Sequence, residues 1–144
     1  MRGLIMQRPL RESIKAPGGF DFEPYNTPKC VDYGKFYIRG IIDGINRSQK
    51  IILEIKTRQN FEKDANTIKN SERCKILAYM NMFECTQCLF VESGPNGERK
   101  ETMIPYNDEL FRSDVLDKLE RMVDKARSYS RDQFKDLLIK YSID

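Results

Sequence analysis

The sequence predicts an α/β protein in which a central mixed sheet is flanked by helices, all within one domain over residues 1–144. Three patterns predict it. Phe36 to Lys56 reads as two apolar strands around a polar turn, and Gln87 to Pro105 reads as a second hairpin. Residues 71–84 and 115–126 carry apolar side chains at the three- and four-residue spacing of helices. At 144 residues the chain is long enough to bury a real core. Hydrophobic residues at 40% and charged residues at 33% fit a globular protein in water. No run of eighteen apolar residues suggests a membrane span, and no secretory leader is visible, so an intracellular, reducing compartment is expected.

Taken in order, Met1 to Lys15 holds Leu4, Ile5, Met6, Leu10 and Ile14 around Pro9, which suits a short helix starting near Pro9 or Leu10. Ala16 to Gly34 reads as loop, with Pro17-Gly18-Gly19, Pro24 and Pro28. Phe20, Phe22 and Tyr25 within it are expected to pin the loop to the core, with stacking on unpaired bases as the alternative. The first strand runs from Phe36 to Ile45 and the second from Lys50 to Lys56, with Asn46-Arg47-Ser48-Gln49 between them. Ile51, Ile52, Leu53 and Ile55 make the second strand apolar on both faces, as a central strand would be.

Three charged groups interrupt this hairpin: Asp43, Glu54 and Lys56. Alternation puts Glu54 and Lys56 on one face. A two-residue turn at Arg47-Ser48 pairs Asn46 with Gln49 and sets Asp43 opposite Ile52, on the same face as Glu54 and diagonal to it. Diagonal neighbours sit roughly 7–8 Å apart. Two carboxylates that close repel each other unless a cation lies between them. Oxygen ligands suit Mg²⁺ or Mn²⁺, and an adjacent ammonium can orient a water or stabilise a pentavalent phosphorane. Such a set fits metal-assisted phosphodiester hydrolysis. The competing reading is a solvated face of a hairpin.

Thr57 to Asn70 is polar and without clear period, a partly helical loop at the mouth of such a site. Arg58, Lys63, Lys69 and Arg73 are candidates for phosphate contacts. Ser71 opens a helix that runs to about Glu84 and is apolar on most sides, with Lys75 and Tyr79 one turn apart on one face. The second hairpin turns at Ser93-Gly94-Pro95-Asn96-Gly97. From Asp108 the pattern is helical, and Ser130 or Asp132 opens a last helix with Phe134, Leu137, Leu138 and Tyr141 on one face.

Composition narrows the chemistry further. The chain has no His, which excludes His general bases, Ser-His-Asp triads and His zinc sites. A net charge of +3 permits nucleic-acid binding only through a local basic surface. Cys30, Cys74, Cys85 and Cys88 do not have the spacing of a zinc ribbon and read as free, buried thiols in a reducing compartment.

The stretch Gly40-Ile41-Ile42-Asp43-Gly44, followed after ten intervening residues from the Asp by Glu54-Ile55-Lys56, resembles the core of the PD-(D/E)XK nuclease superfamily. The Gly-x-x-Asp-Gly form resembles its RecB-like, Cas4-like and phage lambda-type or viral alkaline exonuclease branches. The resemblance is strong over Phe36 to Arg58 and continues weakly to about Gly94. It implies a restriction-endonuclease-like core and a Mg²⁺- or Mn²⁺-dependent nuclease. In that reading the metal is held by Asp43, Glu54 and the carbonyl of Ile55, and Lys56 acts on the water or the developing charge. Members of the superfamily often carry a further acid on a preceding helix, a place that Glu12 would fill if it is not an ordinary surface residue. The Gln-x-x-x-Tyr motif of the resembled branches corresponds to Lys75 and Tyr79, with Lys in place of Gln, and both are candidate catalytic residues. Some Cas4-like proteins hold an iron–sulfur cluster with four Cys, three of them after the core. No Cys follows Cys88 here, so such a cluster is not expected.

The implied substrate is DNA, processed from its ends in recombination, repair or replication, with a recombination or replication factor as a possible protein partner. The alternatives are a junction-resolvase-like endonuclease, an RNA endonuclease and a non-catalytic nucleic-acid-binding subunit.

Overall fold

The structure, a computed structural model, describes residue 10, residues 12–65 and residues 67–128. A 3₁₀ turn at Pro17–Gly19 precedes strands β1 (Glu23–Pro24), β2 (Lys29–Asp32), β3 (Tyr37–Gly40), β4 (Gly44–Asn46) and β5 (Ile51–Thr57). Then come a short helix α1 (Phe61–Asp64), the long helix α2 (Asn70–Met82), β6 (Gln87–Ser93) and β7 (Arg99–Pro105). A helical run follows, made of α3 (Asp108–Leu110), a π-helical stretch (Phe111–Leu116) and α4 (Asp117–Ser128). The last helix expected from Ser130 or Asp132 lies outside the described residues. Among the described residues, no helix is long and apolar enough to cross a membrane.

The fold is mixed α/β, as the patterns predict. Five strands form one sheet in the order β1-β4-β5-β6-β7. β5 and β6 run parallel, and the other neighbours are antiparallel. A parallel pair needs a crossover, and α1 and α2 supply it. Ile51 to Ile55 are all buried, because β5 is covered on both faces. On one face Ile52, Cys88, Phe90 and Ile104 meet Ile76, Leu77, Met80 and Phe83 around α2, together with Phe111 and Val115. On the other, Leu53, Ile55, Leu89 and Val91 meet Ile14, Ala16 and Phe22. Each buried aliphatic side chain contributes roughly 1.5–3 kcal/mol, so β5 is anchored from both sides.

Four local expectations are corrected. The strand expected over Phe36 to Ile45 is two strands in two sheets: β3 pairs only with β2, and the chain breaks at Ile41 to Asp43 before β4 joins β5. The stretch read as loop, Ala16 to Gly34, contains β1 and β2. Pro24 is tolerated because β1 is an edge strand. The β2–β3 turn is held by the Asp32 carboxylate accepting from Gly34 N–H at 2.7 Å and by Gly34 at φ +95°. The β4–β5 turn spans four residues, Arg47 to Lys50, and Asn46 pairs with Ile51 rather than Gln49. Asn46 Oδ1 organises it, accepting from Gln49 N–H at 3.0 Å and Ser48 Oγ at 2.9 Å, and Lys50 takes φ 56°. Finally, α2 starts one residue before Ser71, because Glu72 reaches back to accept from Lys69 N–H at 2.9 Å.

Of the three loop aromatics, Phe22 is buried and Tyr25 packs edge-on against Phe83 with ring centroids 5.0 Å apart. Phe20 stands 61% exposed.

Candidate active site

The site forms where β4 begins against β5. Asp43 N–H donates to Leu53 O at 3.1 Å, and the Asp43 carboxylate accepts from Ile55 N–H at 2.7 Å. The carboxylate thus takes over the ladder where the β4 backbone stops pairing. The four-residue turn shifts the register by two from the one expected: Ile45, not Asp43, faces Ile52. A shift of two keeps every side chain on its expected face. Asp43 and Glu54 therefore still act on one another, and Asp43 is one of the charges that perturb Glu54.

Glu54 is only 8% exposed, and its Oε1 has no hydrogen-bond partner. Burial first, and the Asp43 charge second, push its carboxyl up to about 8, against an opposing pull from Lys75. Lys75 Nζ lies 4.0 Å from Glu54 Oε2. The same ammonium stands 5.5 Å from the centroid of the Tyr79 ring, one turn along α2. Tyr79 is half-buried, and its hydroxyl is raised chiefly by burial. Lys56 is exposed at the end of β5, and its charge acts on Glu72. Ile55 N–H and C=O point to the same side of the strand, so its carbonyl faces the Asp43 side. Asp43, Glu54 and the Ile55 carbonyl are the groups that could hold a hard cation. The orphaned, buried Glu54 oxygen fits that role, since such an oxygen needs a proton or a cation.

Gly40 is what lets Tyr79 lie here. A Cβ on Gly40 would come within 2.2 Å of Tyr79 Cε1. Gly40→Ala is expected to destabilise the fold by about 1–3 kcal/mol. Adding Tyr79→Ala should recover part of that loss, so a denaturant double-mutant cycle should give a clear coupling energy. Independent, additive effects would refute the contact.

Not every expected residue joins the site. Arg58 is corrected outright: it is 3% exposed and turned inward. Its guanidinium donates to Glu72 at 2.8 and 3.1 Å and to Glu92 at 2.9 Å. It therefore ties α2 to β6 from inside instead of presenting a charge to a phosphate. Glu92 is fully buried, a role no local pattern signals. Glu12 is exposed, and its neighbour Ile14 packs on the sheet face opposite α2, so the structure does not bring it to Asp43 and Glu54. Lys63, Lys69 and Arg73 are exposed around α1 and the start of α2. Sequence reading also overlooked Arg39 and Ile41, both exposed on the chain leading into Asp43.

All four cysteines are free: Cys30 is exposed, Cys74 half-buried, Cys85 and Cys88 buried. Burial pushes the Cys88 thiol well up. Among the described residues, no group of three or more His, Cys, Asp or Glu is arranged to hold a metal.

No protein-family model matches the chain, and no curated protein matches it in sequence. Solved structures do share its fold. A phage-related exonuclease from Haemophilus somnus 129PT aligns with a TM-score of 0.61 at 14% identity, over 97% of this chain and 72% of that one. A protein designated SSO0001 aligns with a TM-score of 0.52 at 22% identity, over 77% of this chain. The chain spans about half of that protein's length, 53%. At these identities the likeness is one of fold.

Proposed function

We propose that this protein is a Mg²⁺- or Mn²⁺-dependent nuclease of the PD-(D/E)XK type that hydrolyses DNA, acting from ends. One observation carries the reading: a buried carboxylate with an orphaned oxygen, Glu54, is set against a second carboxylate, Asp43, with the Lys75 ammonium beside it. Nothing in sheet packing calls for this arrangement, since an apolar residue at position 54 would fill the same space without the desolvation penalty. The fold shared with a phage-related exonuclease supports the exonuclease form, and a place in recombination, repair or replication is part of the same proposal.

In this reading Asp43, Glu54 and the Ile55 carbonyl hold the divalent cation. A cation held there would polarise a phosphoryl oxygen and lower the pKa of a bound water. The Lys56 ammonium, exposed at the strand end, faces the reacting phosphate and stabilises the charge that develops on it. Tyr79 borders the site from α2 and keeps its proton, because burial disfavours the phenolate. Lys63, Lys69 and Arg73, exposed around α1 and the start of α2, are assigned to the DNA backbone.

The test is a cleavage assay with Mg²⁺ or Mn²⁺ on end-labelled linear DNA and covalently closed circles. Linear DNA is expected to be degraded and circles spared. Lys56→Ala should lose about 10²–10³ in rate, the range found when one group stabilising a transition state is removed. Cutting of circles would replace the exonuclease with an endonuclease. Folded protein that cleaves neither DNA nor RNA with either metal would end the nuclease reading.

A further inference from the structure

We infer that Lys75 is a resident cation of this site: its ammonium occupies the place and supplies the charge of a second divalent ion, so that the Asp43–Glu54 pair loads one metal ion per chain. The inference rests on the metal-nuclease reading and deepens it.

Four observations carry it. Lys75 Nζ lies 4.0 Å from Glu54 Oε2, at the limit of an ion pair, and no other cation is paired with Glu54 among the described residues. Lys56, the lysine that the Glu-x-Lys pattern offers for this carboxylate, acts on Glu72 instead. The Lys75 ammonium has a second neighbour, and its helix is fixed. The Tyr79 ring lies 5.5 Å from it, and its helix is bolted down one turn earlier by the bidentate Glu72–Arg58 contact. Its side chain remains 50% exposed, so the ammonium can shift off Glu54 toward an incoming phosphate without being pulled from the core.

The donor set matches this role. Two divalent ions sharing a site need several anionic ligands. Among the described residues, no third acidic or thiolate ligand joins Asp43 and Glu54. With Glu54 ionised by a bound metal, Asp43, Glu54 and Lys75 together carry a single net negative charge. One divalent ion turns that into a positive charge even before Lys56 is counted, and a second ion would add more than any third acidic ligand among the described residues offsets. An ammonium a few ångströms from the ligands also competes with the metal for them, so its removal should tighten metal binding.

The experiment is Mn²⁺ titration by isothermal calorimetry without DNA, using the full-length parent, Lys75→Gln and Lys75→Arg. Thermal unfolding of each checks folding, which the exposure of Lys75 favours. The parent is expected to bind one Mn²⁺. Lys75→Gln should bind Mn²⁺ at least tenfold more tightly while cleaving DNA at least a hundredfold more slowly at low Mn²⁺, with partial recovery as Mn²⁺ is raised. Lys75→Arg, which keeps the charge, should retain the parental affinity. Two Mn²⁺ per parental chain, or an unchanged affinity in Lys75→Gln, would overturn this inference and leave the nuclease reading standing. A parent that binds no Mn²⁺ would remove both.

Discussion

Glu54→Gln is expected to make the metal-free protein more stable than the parent at pH 8, and at the same time to slow DNA cleavage in Mg²⁺ by at least a thousandfold. The two effects share one cause. In the folded chain, burial and the neighbouring Asp43 hold the Glu54 carboxyl up at about 8, against an ordinary 4.5. Below pH 4.5 both folded and unfolded chains carry the proton, and Glu54 adds no penalty. As pH rises from 4.5 to 8, the unfolded chain ionises while the folded one resists, so stability falls across that window and levels off above it. Each pKa unit is worth 1.36 kcal/mol, which puts the loss at about 3–5 kcal/mol. Glutamine does not titrate, so the stability difference between variant and parent should grow with pH over the same range. Mg²⁺ should close it again by binding the ionised parent and not the variant. Urea melts at pH 5 and pH 8, with EDTA and with Mg²⁺, read all of this. Parallel pH profiles for the two proteins would show that Glu54 is not held as described.

Arg58→Met is expected to cost about 3–5 kcal/mol, enough to unfold a marginal domain near physiological temperature. Its guanidinium is shared between two carboxylates, bidentate to Glu72 and through Nε to Glu92. Glu92 is fully buried, and its second oxygen already lacks a partner. Without Arg58 its charge would have no compensation, and the loss of a buried partner costs far more than the pair's net worth. The combined variant Arg58→Met with Glu92→Leu should therefore be more stable than Arg58→Met alone. Equal stability of the two would mean that Glu92 is neutral and that Arg58 acts through Glu72 only. Because Glu72 lies one turn before Lys75 on α2, cleavage should fall in both variants even where the fold survives.

What could be read in advance follows from how each feature is written in the chain. β5, β6 and α2 announce themselves, because their burial is dense enough to leave unbroken apolar runs and helical spacing. Asp43, Glu54 and Lys56 stand out as charges where an apolar strand has no use for them. The β2–β3 hairpin was hidden by Pro24 and Pro28, which flank or occupy edge positions where proline does no harm. The length of the β4–β5 turn was ambiguous because Asn46 can close a two-residue turn or, as here, cap a four-residue one with its side chain. Arg58 misled for a different reason. A sequence shows a charge but not its partners, and Glu72 and Glu92 lie fourteen and thirty-four residues away. Lys75 was visible through its spacing from Tyr79, while its approach to Glu54 depends on how α2 crosses β5, which local pattern does not encode.

The parallel pairing of β5 with β6 also dictates when the site comes into being. From Ile51↔Gln87 to Thr57↔Ser93, every pair joins residues thirty-six apart, and the crossover between them must close before any of those contacts is rewarded. During synthesis the β4–β5 hairpin emerges first, with its two like-charged carboxylates uncovered and repelling in water. Only when α2 and β6 have followed does Glu54 lose solvent and Lys75 come alongside. Catalytic competence is thus tied to that crossover, and a nascent chain stopped before Gln87 should carry every proposed metal ligand and still cleave nothing.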